Sequence, residues 1–386
     1  MTNDALFSLV DANHERYVSI WTDICNIESP TSHKAGVDAV GKYVADWAIA
    51  HGFAVEWCKQ EKAGDVVCIT MNPDAPAAPI VFSGHMDTVH PLGLFGSPAV
   101  RRDGNYLYGP GVTDCKGGIV VAMLAMEALQ QGGFTARPIR LLLQSDEETG
   151  SRDSNKATIR YICERSADAA AFLNLEGKTA DQACVERKGI VTFRFDVTGV
   201  AAHAARCATD GANAIVEAAH KMTVLHQWRD VDGITCNCGM VEGGTAPNTV
   251  PEHCSFIVNV RFVNQQQCEQ MRLKMQEIAA TVYVDGCRTT VEEIDFRVAM
   301  ERNDRNLALL DAMNRLFVTA GFSALEAGKR VGGSDAADVT VCGIPVVDSI
   351  GVQGGNIHSK DEYALVSSLA RSAKRLVIVA TGLGDE

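Results

Sequence analysis

The chain has 386 residues, 46% of them hydrophobic and 22% charged, and its 35 Lys and Arg against 48 Asp and Glu give a net charge of -13. That balance excludes disordered and fibrous classes, predicts two domains at roughly 100 to 200 residues each, and argues against nucleic acid or anionic membrane as partners, since no Lys/Arg cluster offsets the negative field. No stretch approaches the roughly 18 apolar residues of a membrane span, no basic leader precedes an apolar core, and thirteen cysteines without a C-x-x-C pair fit reduced thiols, so a soluble cytoplasmic protein is expected.

Taken in chain order, the first half alternates apolar runs with helical patterns. The runs lie at 79–87 (PIVFSGHMD), 137–148 (RPIRLLLQSDEE) and 169–177 (AAAFLNLEG), with an apolar helix over 117–131 between the first two. Such alternation predicts an α/β domain with a mostly parallel sheet covered by helices, in which ligands gather at the carboxyl ends of the strands. The middle third changes period. Alternating strands at 190–199, 234–244, 254–263 and 288–298 are interleaved with helices at 212–228 and 264–282. That order is βαββαβ, a ferredoxin-like sandwich. Cys236 and Cys238 sit in one of these alternating runs and read as strand residues rather than ligands. A helix at 307–321, the segment 334–351 and a closing helix near 365–382 return to the first pattern. The expected domains are 1–187 with 300–386, and an inserted domain over 188–299.

The strand ends of the first half carry the chemistry. Positions 85 and 87 share a face of an extended strand, so Asp87 can hold the imidazole of His85 in one tautomer, as carboxylates do behind metal-bound histidines. Asp114 sits in the Gly-rich turn GPGVTDCKGG before a helix, which lacks the spacing of a phosphate loop. The acids Asp146, Glu147 and Glu148 end one strand, Glu176 ends another, and His358 lies in the later Gly-rich loop GGNIHSKDEY. Singly, a strand-end histidine is more often a hydrogen-bonded structural residue, and acidic strand ends are often only solvated. Together, two imidazoles and three carboxylates suffice for two zinc-like ions about 3.5 to 4 Å apart that share one carboxylate. Glu147 then remains as a base that takes a proton from a metal-activated water and passes it to a leaving nitrogen, which is amide hydrolysis.

The motifs H-M-D, G-P-G-x-x-D-x-K-G-G, D-E-E-x-G, L-E-G, G-G-S-D-A and G-x-x-H-S, in this order across nearly the whole chain, resemble the zinc exopeptidase and deacylase family. That family includes bacterial glutamate carboxypeptidase, acetylornithine deacetylase, succinyl-diaminopimelate desuccinylase and aminoacylase. The resemblance implies two divalent ions, zinc or else cobalt or manganese, bridged by Asp114. His85 and Glu176 would complete one site, Glu148 and His358 the other, with Glu147 as general base and a cis peptide bond at Asp114-Cys115. It also implies that the inserted domain is a lid that forms a homodimer. The family motif H-A-G reads His203-Ala204-Ala205 here, so His203 is the expected oxyanion donor to the partner's site, with alanine in place of the usual glycine.

Asn248 and Arg261 match positions that bind a substrate carboxylate or the reacting carbonyl, a role suited to a guanidinium fork. Arg330 and Arg206 are candidates for selectivity toward an acidic end, and Gly333 and Ser334 for the lining of the substrate loop, with Asp335 opening a helix. The expected activity is exopeptidase cleavage of a small peptide bearing a carboxylate. An N-acyl amino acid deacylase or desuccinylase stays open, as does a ligand-binding protein with a vestigial metal site.

Overall fold

Two long helices, α1 (Asn3–Asn26) and α2 (Lys34–Ala50), open the chain in a computed structural model that describes residues 2–384. The apolar positions of α1 recur at helical spacing, and Val10, Tyr17, Trp21 and Ile24 are buried. Trp21 Nε1 donates to the Val112 carbonyl at 3.1 Å and the Tyr17 hydroxyl donates to Glu127, so neither aromatic buries an unmet donor.

An antiparallel pair, β1 (Ala54–Cys58) and β2 (Val66–Met71), precedes the parallel strands β3 (Ile80–His85), β4 (Ile139–Gln144) and β5 (Ala171–Asn174). Helices α3 (Lys116–Gln131) and α4 (Ala157–Ser166) make the crossovers. Strand order is β1-β2-β4-β3-β5, and Val346–Val347 adds a last parallel strand beside β5. Strands covered on both faces explain the continuous apolar runs, since β3 is buried throughout. Helix α3 packs so closely at its start that a Cβ on Gly118 would lie 2.1 Å from the Leu175 carbonyl oxygen. Glycine there brings the helix onto the strand end that carries Glu176.

The second compact unit spans Glu186–Glu301 and takes in Arg330–Gly333. Its elements are β6 (Gly189–Thr198), α5 (Ala214–His226), β7 (Thr235–Gly243), β8 (His253–Phe262), α6 (Gln265–Ala280) and β9 (Arg288–Arg297). The sheet order β7-β8-β6-β9 is antiparallel throughout, which with two helices is the expected βαββαβ sandwich. Alternation along β6 and β8 sends Val191, Phe193, Phe195, Phe256 and Val258 into one core, where Phe195 and Phe256 stack at 4.7 Å. Cys236 belongs to that core and Cys238 packs against it, as ordinary strand residues do.

The chain then returns to the first unit with α7 (Asp304–Thr319), α8 (Asp335–Val341) and α9 (Val366–Gly382). Arg330–Gly333, placed by sequence with this part, groups instead with the second unit. The reason is hydrogen bonding: Lys188 N donates to the Arg330 carbonyl, Arg187 to the carbonyls of Gly332 and Gly333, and Arg261 to that of Val331. Among the described residues, no helix is long and apolar enough to cross a membrane.

Candidate metal centre

The parallel strands β3, β4 and β5 end side by side, His85 pairing with Gln144 and Ser83 with Asn174, so their following loops emerge together. His85 ends β3 and is buried. Its Nδ1 lies 3.0 Å from the Asp87 carbonyl oxygen and 3.3 Å from the Asp87 carboxylate, which fixes the tautomer that points Nε2 at the other acids. The Asp87 carboxylate also accepts the backbone N–H of Glu147 at 3.2 Å and of Glu148 at 3.1 Å, and the Thr31 hydroxyl at 2.7 Å. One side chain thus orients the histidine and pins the turn that bears both glutamates.

That turn is a single 3₁₀ turn over Glu147–Thr149, closed by Gly150 at φ 64° and braced by Asp146, which accepts from the Thr158 hydroxyl of α4 at 2.6 Å. Asp114 sits just before α3, and the peptide bond Asp114-Cys115 is cis as expected. Its two oxygens face two imidazoles: Oδ1 is 3.0 Å from His85 Nε2, and Oδ2 is 3.1 Å from His358 Nε2. Glu176 stands 3.7 Å behind the first nitrogen and Glu148 3.3 Å behind the second. The ligand atoms of His85, Asp114 and Glu148 fall within 4.8 Å of one another, as do those of His85, Glu176 and Cys115. The five side chains named from the sequence therefore converge, in the arrangement of one shared carboxylate between two His-carboxylate pairs.

The electrostatics ask for a cation. Burial pushes the His85 imidazole down, but hydrogen bonds to Asp114 and Asp87 outweigh it and raise it well above its usual range. His358 is raised to about 10 by Asp114 and Glu148. Burial, with Asp114 nearby, pushes Glu148 up to about 8. Burial would also raise Asp114, yet the hydrogen bonds from His358 and His85 hold it well below the usual carboxylate range. The acids thus favour positive charge at both imidazoles, and a divalent ion fits a donor set of imidazole nitrogens and carboxylate oxygens.

The candidates in the second unit form their own groups. His203 and Asn248 are exposed and adjacent, Ala204 N donating to the Asn248 carbonyl at 2.9 Å. His203 Nδ1 accepts from Ala205 N at 3.2 Å, which leaves Nε2 to carry the proton of the neutral ring. Arg261 is half-buried, its Nε donating to Asn259 at 3.0 Å and its Nη1 to the Val331 carbonyl at 3.1 Å. Burial, then the neighbouring Arg297, pushes its guanidinium down. Arg206 pairs with Asp210 at 2.8 Å on the surface. Arg330 and Gly333 are partly exposed, and the Gly333 carbonyl is taken by Arg187. The buried Ser334 hydroxyl caps α8 by accepting from Ala336 N at 3.3 Å and donates to Asp348 at 3.0 Å, so it holds the loop that opens this helix.

The sequence reading missed Glu362, a wholly buried carboxylate in the same GGNIHSKDEY segment as His358. Its only sequence signal is an acid four residues beyond a candidate ligand, which solvated loops also show.

The profile of peptidase family M20/M25/M40 matches residues 81–381. The chain belongs to this family. It is 26% identical to carboxypeptidase G2 of Pseudomonas sp. (strain RS-16) over 97% of the chain and 92% of that protein. Succinyl-diaminopimelate desuccinylase of Rickettsia akari is 25% identical over 68% of the chain and 73% of that protein. Among solved structures, aminopeptidase PepT of Bacillus cereus superposes with a TM-score of 0.79 at 22% identity, covering 95% of the chain and 98% of that structure. YXEP of Bacillus subtilis, described as a dinuclear metal binding peptidase of the M20 family, superposes at 0.72 with 16% identity over 96% and 98%. The M20 chain described here is a metal-dependent hydrolase of amide bonds, and its mixed α/β architecture with a largely parallel sheet is that of the family.

Proposed function

We propose that this M20 enzyme is a two-zinc exopeptidase of the glutamate carboxypeptidase kind, acting on a small substrate with a carboxylate next to the scissile amide. The observation that carries the two-ion reading is the split of Asp114, each oxygen against a different imidazole with its own glutamate behind it. His85, Asp114 and Glu176 would hold one ion, and Asp114, Glu148 and His358 the other. Bound there, zinc supplies Lewis acidity to the carbonyl and lowers the pKa of water to about 7. Glu147, on the turn fixed by Asp87, takes the proton of the attacking water and delivers it to the leaving nitrogen. His203 offers Nε2–H to the oxyanion. Asn248 and Arg261 are assigned to the substrate carboxylate, with Arg330 and Gly333 beside Arg261.

We also place the enzyme in the cytoplasm, on thirteen scattered cysteines that form no C-x-x-C pair, and assign it a homodimer through the second unit. Similarity to carboxypeptidase G2 over nearly the whole chain favours peptide substrates, whereas similarity to a desuccinylase favours N-acyl amino acids. Turnover of a dipeptide panel with acidic and neutral C-terminal residues, set against an N-acyl amino acid panel, decides between them. Preference for the acyl panel overturns the exopeptidase reading, and ion binding without turnover of either would return the vestigial-site reading. Glu147→Ala should keep both ions while kcat falls by on the order of 10³ or more; an active variant refutes the base.

A further inference from the structure

We propose that Glu362, with His90 behind it, is a positioning residue that sets the angle at which Asp114 meets the two ions. Glu362 is wholly buried, and among the described residues its carboxylate bonds the turn bearing Asp114 and His90. Oε1 accepts the backbone N–H of Thr113 at 2.8 Å and of Asp114 itself at 3.0 Å. Oε2 accepts the N–H of Gly111 at 3.2 Å and lies 2.9 Å from Nε2 of His90, which is also buried. The main chain adds to the grip, since Gly109 N donates to the Glu362 carbonyl at 3.3 Å and Glu362 N donates to Ser359 O at 3.2 Å.

Four polar contacts saturate this carboxylate, so it is no ligand. What it joins are the two segments that carry facing ligands, the Asp114 turn and the His358 loop, whose side chains meet at 3.1 Å. A buried carboxylate is costly to desolvate, and three turn N–H groups without helical partners are an unusual use for one. A carboxylate that accepts the N–H of Asp114 fixes the backbone from which that side chain presents its two oxygens to different imidazoles. His90 in turn holds Oε2, with its ring edge-on to Phe95 at 5.0 Å. Partners at this remove from a metal alter its affinity by about 10 to 100-fold.

The inference rests on Asp114 being the shared ligand, and the test keeps the two apart. Wild type, Glu362→Gln, His90→Leu and His90→Gln are compared by ion content, by cobalt affinity against a competing chelator, by the visible spectrum of the cobalt-loaded protein and by melting of the metal-free protein. Glu362→Gln should weaken cobalt binding about 10 to 100-fold and shift the spectrum. His90→Leu should do so to a lesser degree, and His90→Gln, which keeps an N–H toward the carboxylate, should restore most of the loss. If Glu362→Gln does not fold, His90→Leu decides. Wild-type affinity and spectrum in the folded variants overturn the inference alone, as does a lower melting temperature with an unchanged spectrum, the mark of a merely structural role. A wild type that binds no ion overturns the metal centre and this inference with it.

Discussion

Asp114 and His203 show how much one side chain decides. Asp114→Asn keeps the shape but gives up a charge and one oxygen, and each oxygen faces a different imidazole. Elemental analysis should find the variant with at most one tightly held ion, and kcat should fall at least about a thousandfold. Full content of two ions would show that the acid is not shared. His203 holds its proton on Nε2 because Nδ1 accepts from Ala205 N. Its replacement by alanine should lower kcat by about 10² to 10³ with little change in KM, the pattern of a contact made only in the transition state. Residues at this scale were the most legible. The spacing within H-M-D and D-E-E places these side chains at neighbouring strand ends, and the five proposed ligands lie within 3.0 to 3.7 Å of one another in a chain from Glu176 through His85, Asp114 and His358 to Glu148. Ser334 was less legible, because a G-S-D string looks the same whether or not its hydroxyl caps a helix, as it does here.

Helix α3 holds the Asp114 turn and the Glu176 strand end together, and it does so through the glycines at its start. A methyl at Gly118 would meet the Leu175 carbonyl oxygen at 2.1 Å, and backbone cannot swing aside as a side-chain tip does. Gly118→Ala is therefore expected to destabilise the fold by about 1 to 3 kcal/mol and to weaken metal binding, both measurable by calorimetry. An unchanged affinity would mean the helix shifts without moving Glu176. Elements with a clear period, such as β6 and β8, were legible from alternation alone. The pair β1–β2 was not singled out, because β2 is buried along its whole length and carries no period. Nor was the allegiance of Arg330–Gly333, which is settled by backbone carbonyls that arginines and a lysine of distant sequence claim.

For the whole molecule, the metal-free state should answer to pH in a defined direction. His358, raised to about 10, contributes stability that is complete below its unfolded value near 6.5 and is lost as pH rises through 10. Glu148, a carboxyl raised to about 8, likewise favours the folded state at low pH and withdraws that favour as pH rises from its ordinary value through 8. Melting temperatures of metal-free protein should thus fall between pH 6 and 9, while the zinc-loaded protein, whose ligands are already deprotonated, changes less. A gap that narrows with rising pH would contradict the coupling. If the dimer delivers His203 to its partner, mixing the inactive Glu147→Ala and His203→Ala proteins should restore activity through subunits that pair one intact half-site with the other. No recovery after subunit exchange would place the histidine in its own chain's site.

The order of the proposed ligands along the chain has a further effect. Four of them precede the second unit and His358 follows it, so translation delivers the final donor only after the entire insertion has left the ribosome. On that assignment a nascent or prematurely ended polypeptide would have an incomplete cation trap, and the power to cut amide bonds would arrive late in the enzyme's own synthesis.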